Sequence, residues 1–297
     1  MSSVSNEELV QLIRDDLAKY DGVRRPVKAS KFEQVFKWST SPWNLHPNPE
    51  DEFCDPEIGP SFRIISDYAA QFRKSSNLGA DVVGEALVVE KMYPEGYMLL
   101  NGHHRWAAAL RIGLKKVPIK VVNLTHEEDM QKMLANARSD RRIVFDLDEV
   151  VFCQSESDAA ESALRPPFNR LFKERIRKGF PALANALQND KFDIWVYTRG
   201  LYSVDYLELL LKQYHVRVNG IVSEARNANK IAAALEKGAA KTGKTNDYAV
   251  TLHADRDSVL YTNSRTKDFE HVTFEASGDN WGTEVLKVVR DLTSAAQ

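Results

Sequence analysis

The sequence predicts an α/β protein built from two domains, and three features lead to this prediction. The chain has 297 residues, which is long for one domain and ordinary for two. From Arg142 onwards, apolar runs alternate with stretches of helical spacing, a pattern typical of a parallel sheet covered by helices. Before that point, two strands around a Pro-Glu-Gly turn, an Ala-rich helix and a third strand predict a smaller domain that mixes helices and strands. We therefore expect domains over 1–126 and 141–297, joined by a helical linker over 127–140.

The elements of the first half follow from helical spacing, β-rich runs and turn residues. Ser5 is a typical N-cap residue, and the apolar residues after it keep helical spacing as far as Tyr20. Residues 38–61 are rich in Pro, Trp and acids, which predicts a long irregular loop. Thr125 and Glu128 have the spacing of a capping box, so the connecting helix should begin there. Between these landmarks we expect a helix over 64–74, strands over 85–92 and 97–100, a helix over 105–112 and a strand over 117–124.

Composition and charge exclude several classes of protein. With 43% apolar and 28% charged residues, the chain has the composition of a globular protein with a real core. The net charge of -2 gives no global field for nucleic acid, although a local basic patch stays compatible with it. Cys54 and Cys153 are the only cysteines, which argues against a disulfide framework or a structural zinc site. No uncharged apolar run approaches about 18 residues, so we expect a cytoplasmic protein with no membrane contact.

The strongest chemical signal in the second half is the run from Arg141 to Phe152, RRIVFDLDEVVF. The apolar strand Ile143–Phe145 leads directly into Asp146 and Asp148. Ligands of open parallel sheets bind at the carboxyl ends of the strands, where two carboxylates at i and i+2 can share a divalent cation. One carboxylate can attack phosphorus while the other moves a proton to the leaving group.

Three further chain segments add polar residues that suit the same chemistry. The strand IWVYT ends in Thr198, whose hydroxyl is able to hold a phosphate oxygen. Lys230 stands near the start of a helix that follows the strand GIVS, and the strand YAVTL is followed by Asp255 and Asp257. Together these segments deliver two acids, a hydroxyl, a cation and two more acids, in that order.

This order resembles the HAD superfamily of phosphohydrolases and phosphotransferases, in the motifs DLDEV, YTRG, Lys230 and HADRD. The resemblance covers roughly residues 141–297 and implies a Rossmann-like domain with a small cap or none. It implies that Asp146 becomes a phospho-aspartate, that Asp148 is the acid/base, and that Thr198 and Lys230 complete the catalytic set. It also implies a Mg²⁺ ion held by Asp146, Asp148 and the fourth motif, with Asp255 and Asp257 both open as ligands. Lys241 and Lys244 remain alternatives to Lys230.

The sharpest feature of the first half is the sequence NGHHR, in which a strand ends and an Ala-rich helix begins at once. Gly102 allows a close backbone approach, and His104 and Arg105 add side-chain donors at the start of the helix. Helix N-termini attract anions because their backbone N–H groups are unsatisfied. The turn therefore predicts a phosphate-binding site.

This turn resembles the ParB/sulfiredoxin fold, over roughly residues 24–124. The resemblance implies a small α+β domain that binds nucleotide phosphates through Gly102, His104 and Arg105. Sulfiredoxin has a cysteine at the position of His103, so the His-His form is closer to the free-serine kinases of this fold. These enzymes use ATP or ADP and an upstream glutamate, for which Glu50, Glu52 and Glu57 are the candidates. Ser61 is a further candidate for phosphate contact, or alternatively a plain N-cap.

Two functions compete on these observations. The first is Mg²⁺-dependent phosphoryl transfer to or from a phosphorylated substrate, with a nucleotide-binding first domain that is itself a candidate small-molecule kinase. The alternative is a regulatory or nucleic-acid-binding protein, in which the second domain senses phosphate or processes phosphorylated ends. The near-neutral charge disfavours a strong DNA binder, although Arg24, Arg25, Lys28 and Lys31 form a local basic cluster.

Overall fold

The computed structural model describes residues 4–77, 84–224, 248–276 and 278–294, and the chain divides into two compact units. The first unit comprises residues 1–123 and the second comprises residues 124–297. Each unit has its own six-stranded sheet and its own buried core. No helix within the described ranges has the length and apolar character needed to cross a membrane.

The first unit combines a mixed sheet with four described helices. Its strands are β1 (Arg25–Pro26), β2 (Ser39–Thr40), β3 (Leu45–Pro47), β4 (Leu87–Tyr93), β5 (Tyr97–Asn101) and β6 (Val117–Val122). Its helices are α1 (Asn6–Lys19), α2 (Lys31–Phe36), α3 (Phe62–Asn77) and α4 (His103–Arg111). The strand order is β2-β6-β4-β5-β3, and β1 pairs with the other end of β4. The predicted loop over 38–61 thus contains two short strands and two short 3₁₀ turns.

Helix α1 confirms the predicted cap at Ser5. The Ser5 hydroxyl accepts a hydrogen bond from the Glu8 backbone N–H at 3.1 Å, and the Glu8 carboxylate accepts one from the Ser5 N–H at 2.7 Å. This reciprocal pair satisfies two backbone donors that the helix itself cannot pair. Leu9 and Ile13, one helical turn apart, are buried and join α1 to the core. The helix ends at Lys19, one residue before the predicted end.

The second unit contains the mostly parallel sheet that the apolar runs predict. Its strands are β7 (Arg141–Asp146), β8 (Asp193–Tyr197), β9 (Gly220–Val222), β10 (Val250–Ala254), β11 (Ser258–Asn263) and β12 (Phe269–Thr273). Its described helices are α5 (Glu127–Ala135), α6 (Phe168–Leu171), α7 (Phe180–Asn189), α8 (Val204–Gln213) and α9 (Trp281–Ser294). In the order β12-β11-β10-β7-β8-β9, the last four strands run parallel, whereas β11 and β12 are antiparallel.

Helix α5, which was expected as a linker, packs within the second unit. Leu134 of α5 is buried against Trp195 and Val222 of the sheet. The predicted capping box of Thr125 and Glu128 is wrong by one residue, because the His126 N–H donates to Asp129 Oδ2 at 3.0 Å instead. Thr125 is unavailable for capping, since its hydroxyl donates to the Ile221 backbone oxygen at 2.9 Å and accepts from Ser223 N–H.

Candidate functional site

The polar residues of the second sheet lie together at the carboxyl ends of neighbouring strands. Strand β7 ends at Asp146, which lies opposite Tyr197 at the end of β8, directly before Thr198. Phe145 pairs with Ala254, the last residue of β10, and Asp255 follows. Because the three strands are parallel, Asp146, Thr198 and Asp255 share one edge of the sheet, where open α/β sheets bind ligands.

Asp146 is buried, and its two carboxylate oxygens differ in their surroundings. The chain after β7 forms a single π-helical turn over Leu147–Val151, which points two backbone N–H groups at the carboxylate. Oδ1 accepts hydrogen bonds from the N–H groups of Asp148 at 2.8 Å and Glu149 at 3.0 Å. Oδ2 is buried, and no described residue donates a hydrogen bond to it. A buried oxygen of this kind is costly for the fold, so it indicates a functional position.

Asp148 is held by the neighbouring strand end. The Thr198 hydroxyl lies 2.9 Å from both carboxylate oxygens of Asp148, and the Arg199 backbone N–H donates to Oδ2 at 2.7 Å. Thr198 is fully buried, and its hydroxyl oxygen also accepts from the Gly200 N–H at 3.0 Å. The orientation of the Asp148 side chain is therefore fixed by Thr198 and Arg199, the two residues that follow β8.

Arginine side chains and a tyrosine complete this edge of the sheet. The Arg199 guanidinium lies 3.8 Å from Asp146 Oδ2 and 2.9 Å from the Glu149 carboxylate. Arg256 donates to the backbone oxygen of Glu149. Burial, together with the charge of Asp146, raises the pKa of Tyr197 to about 12, so this hydroxyl stays neutral at pH 7. The Arg199 side chain is more than half exposed, although it is paired with Glu149 and lies close to Asp146.

A cavity of about 340 Å³ opens over these strand ends. Its lining includes Asp146, Glu149, Tyr197 and Asp255, but not Asp257, which precedes β11. Asp148 lines a second cavity, which shares Glu149 with the first. Of the two predicted fourth-motif acids, Asp255 is thus the one at the cavity. Its backbone oxygen accepts a hydrogen bond from the buried Trp281 indole at 3.0 Å, which ties this position to α9.

The described residues give a limited set of metal-binding side chains. Within the described ranges, no group of three or more His, Cys, Asp or Glu side chains is arranged to hold a metal ion. Asp146 and Asp255 nevertheless line one cavity, and Asp146 Oδ2 is a buried oxygen that accepts no hydrogen bond from the part of the chain that the structure describes. Two carboxylates with backbone and water oxygens are a donor set that Mg²⁺ accepts, since this ion usually keeps several waters. Lys230 and its alternatives Lys241 and Lys244 lie outside the described residues.

In the first unit, the side chains at the Gly102 turn already form hydrogen bonds within the protein. Gly102 has φ +99° and precedes α4, as the sequence predicts. His103 is buried, with its Nε2 accepting from the Asn48 N–H at 3.3 Å, and the half-buried His104 accepts from the Ser61 N–H at 3.2 Å. Arg105 is buried and donates to the backbone oxygen of Glu85. Both imidazoles therefore accept a hydrogen bond through Nε2, and the Arg105 guanidinium already has partners in Glu85 and Asn101.

The acid that reaches this turn is Asp51, which sequence reasoning passed over. Glu50, Glu52 and Glu57 are exposed, whereas Asp51 Oδ2 lies 3.4 Å from His103 Nδ1. Asp51 Oδ1 also accepts from the Phe53 N–H at 3.0 Å, which shapes the loop. The acidic run gave no signal to separate these four residues, because a short loop can aim any one of them inward.

Comparison with known proteins gives one family match, in the first half of the chain. Residues 79–137 match the ParB N-terminal domain. This ParB-like segment includes β4, β5, the Gly102 turn, α4, β6 and α5. It spans about a fifth of the chain, so the match supports the predicted resemblance for this part only. No curated protein matches the chain.

Two solved structures are similar to parts of the chain. One is the C-terminally truncated chromosome-partitioning protein ParB from Caulobacter crescentus complexed to the centromeric parS site, at 24% identity and a TM-score of 0.23. The match covers 33% of this chain and 47% of that one, so this chain spans less than half of that protein's length. The other is the C-terminal domain of the coenzyme A biosynthesis bifunctional protein CoaBC, at 12% identity and a TM-score of 0.20. That match covers 54% of this chain and 99% of the other.

The turn of the ParB-like segment should not tolerate a side chain at Gly102. A Cβ added there would lie 2.5 Å from Leu87 Cδ2, on a backbone with φ +99°. We expect Gly102→Ala to lower the free energy of unfolding of the first unit by about 1–3 kcal/mol. Gly22→Ala is a matched control, because Gly22 also has positive φ but nothing within 4 Å of an added Cβ. Equal losses in urea unfolding of the two variants would show that the Leu87 contact is unimportant.

The burial of His103 predicts acid sensitivity of the same segment. Burial lowers the pKa of His103 to about 4, against an ordinary value of about 6.5. Below pH 6.5 the unfolded state therefore binds the proton of His103 more readily than the folded state does. The free energy of unfolding should consequently be highest above pH 6.5 and should fall as the pH is lowered towards 4. The loss should be measurable, because each pKa unit corresponds to about 1.4 kcal/mol. Hydrogen exchange of α4 at pH 7 and 4.5 should show this loss, and His103→Gln should reduce it.

Proposed function

We propose that the second unit catalyses Mg²⁺-dependent phosphoryl transfer of the HAD type, with Asp146 as the nucleophile. The observation that carries the proposal is the state of the Asp146 carboxylate. One oxygen is fixed by two backbone N–H groups, while the other is buried in the wall of a 340 Å³ cavity and accepts no hydrogen bond of ordinary geometry from the described residues. This arrangement orients the carboxylate for attack, with the Arg199 guanidinium 3.8 Å from the second oxygen.

The surrounding side chains suit the two halves of such a reaction. Attack of Asp146 on phosphorus forms a phospho-aspartate and expels the leaving oxygen. Asp148, oriented by Thr198, supplies the proton to that oxygen and then takes one from the water that hydrolyses the intermediate. Arg199 pairs with the negative charge of the phosphoryl group.

The same residues fit a Mg²⁺ ion. Asp146 and Asp255 would hold it, and the backbone oxygen of Asp148 would join them once it gave up the hydrogen bond that it accepts from the Gln154 amide. When bound, the ion neutralises charge on the phosphoryl oxygens and brings them close to a carboxylate that would otherwise repel them.

Phosphate release tests the proposal directly. The purified full-length chain is incubated with p-nitrophenyl phosphate, with and without Mg²⁺, and then with a panel of phosphorylated metabolites, nucleotides and phosphopeptides. We expect release that requires Mg²⁺ and stops with EDTA. An absence of Mg²⁺-dependent release across the whole panel would refute the proposal.

A second candidate function is nucleotide binding by the first unit, whether or not this unit also catalyses a reaction. The family match over residues 79–137, which contains the Gly102 turn, favours it. Because Arg105 is occupied by Glu85, the N–H groups at the start of α4 would be the main phosphate donors. Calorimetry with ATP and ADP tests this candidate, and the absence of binding by either nucleotide would exclude it for adenine nucleotides.

A further inference from the structure

A segment of the first unit, residues 25–38, exposes three large aromatic side chains. Phe32 is 72% exposed, Phe36 is 58% exposed and Trp38 is 70% exposed, and we call these three residues the aromatic strip. The rings of Phe32 and Phe36 lie 4.6 Å apart on one side of α2. The Trp38 indole N–H donates to the backbone oxygen of Val35, which limits the ring's freedom. The paired rings of Phe32 and Phe36, with Trp38 two residues further along the chain, expose more aromatic surface than isolated side chains do, and such surfaces often mark binding sites.

The charge of the same segment is positive. Glu33 is its only acid, and Glu33 already forms an ion pair with Lys91 at 2.8 Å and accepts a hydrogen bond from the Tyr97 hydroxyl. The exposed cations of the segment are Arg25, Lys28, Lys31 and Lys37. A ligand at the aromatic strip therefore meets several positive charges. The one acid of the segment, Glu33, is already paired with Lys91.

The neighbouring strand continues this charge. The Trp38 backbone oxygen accepts a hydrogen bond from the Ile119 N–H at 2.9 Å, so Trp38 extends the pairing of the edge strand β2 with β6. Lys120, the next residue, is exposed, as are Lys115 and Lys116 just before the strand. The net charge of -2 for the whole chain conceals this local concentration.

We propose that the aromatic strip and its lysines bind single-stranded nucleic acid. Aromatic side chains stack on unpaired bases of any sequence, and flanking cations follow the phosphates. In duplex nucleic acid the bases stack on each other, so their faces are not accessible to the aromatic rings of the strip. A protein partner fits less well, because lysine is depleted at protein interfaces whereas it surrounds this strip. The inference is independent of the phosphoryl-transfer proposal, since it concerns binding by the other unit.

Fluorescence anisotropy with a labelled single-stranded oligothymidine of about 20 nucleotides tests the proposal on the full-length chain. Stacking is worth about 1–3 kcal/mol per base, so Trp38→Ala should weaken binding roughly five- to a hundred-fold. Trp43→Ala is the matched control, because Trp43 is similarly exposed, at 59%, but lies beside Asp15 and Asp16. Its affinity should equal that of the unaltered chain, and thermal unfolding should show that both variants are folded.

A salt titration separates the contribution of base stacking from that of the lysine–phosphate contacts. Each neutralised phosphate of a single strand contributes about 0.7 to the slope of log affinity against log salt. Lys31→Gln combined with Lys37→Gln should therefore flatten the slope by about 1.4, whereas Trp38→Ala should leave it unchanged. No binding at 50 mM salt, or a Trp38→Ala affinity equal to that of the control, would overturn the proposal. So would a duplex bound as tightly as the single strand, or a dimer in sedimentation that Trp38→Ala dissociates.

Discussion

Asp146→Asn is expected to abolish Mg²⁺-dependent phosphate release, with kcat lowered about a thousand-fold or more. An amide has the shape of the carboxylate but is not an anionic nucleophile. The amide oxygen can still accept the hydrogen bonds that Asp148 and Glu149 donate to Oδ1. The amide nitrogen then replaces Oδ2, the buried oxygen that has no hydrogen-bond donor among the described residues. The melting temperature should therefore be equal to or above that of the unaltered chain, as is common when a functional charge is removed.

The matched control for this variant is Asp291→Asn, the same change at an exposed acid of α9 in the same unit. It should keep full activity and the same melting temperature. Release by Asp146→Asn at the rate of the control would rule out the phospho-aspartate mechanism. Loss of activity accompanied by a large fall in melting temperature would instead point to a structural role for the carboxylate.

The strands of the second sheet could be located from the sequence because burial on both faces leaves a strong signal. The runs around Ile143, Ile194 and Leu252 are mostly apolar, and these three residues are fully buried in the core. Strands β11 and β12 were missed, since β12 is largely exposed and has no apolar pattern to distinguish it from a loop. The cap of α5 was misplaced because the contact of Thr125 with Ile221 joins residues 96 positions apart, which no local spacing reveals.

The residues of the candidate site also divide into those that the sequence could predict and those that it could not. Asp146, Asp148 and Thr198 were found because each stands where an apolar strand ends, and parallel strands end at a common edge. Arg105 was predicted as a phosphate donor from its position in the turn alone. Its actual partner, the Glu85 backbone, depends on how the chain before β4 folds back over the turn. The selection of Asp51 over its glutamate neighbours also depends on loop geometry rather than on residue type.

Asp148→Asn is expected to slow hydrolysis according to the leaving group. Loss of a general acid typically costs about a hundred- to ten-thousand-fold, and we expect that loss with alkyl phosphates, whose leaving oxygen needs a proton. With p-nitrophenyl phosphate the loss should be much smaller, because the leaving phenolate is stable without protonation. The Asn side chain can keep an acceptor towards Thr198 and the Arg199 N–H, which now hold the carboxylate at 2.7–2.9 Å. The turn should therefore stay folded.

The comparison with Asp146→Asn makes this expectation decisive. Removing the nucleophile blocks the first step for every substrate, so Asp146→Asn should lower the rates for alkyl and nitrophenyl phosphates by the same factor. Asp148→Asn should instead separate the two rates by at least about ten-fold, as measured by kcat for both substrates at one pH. Equal losses in Asp148→Asn would mean that Asp148 does not donate the proton. Its role would then be to orient the π-helical turn that presents Asp146, and Thr198→Val, which removes the hydroxyl bound to Asp148, should reproduce the defect.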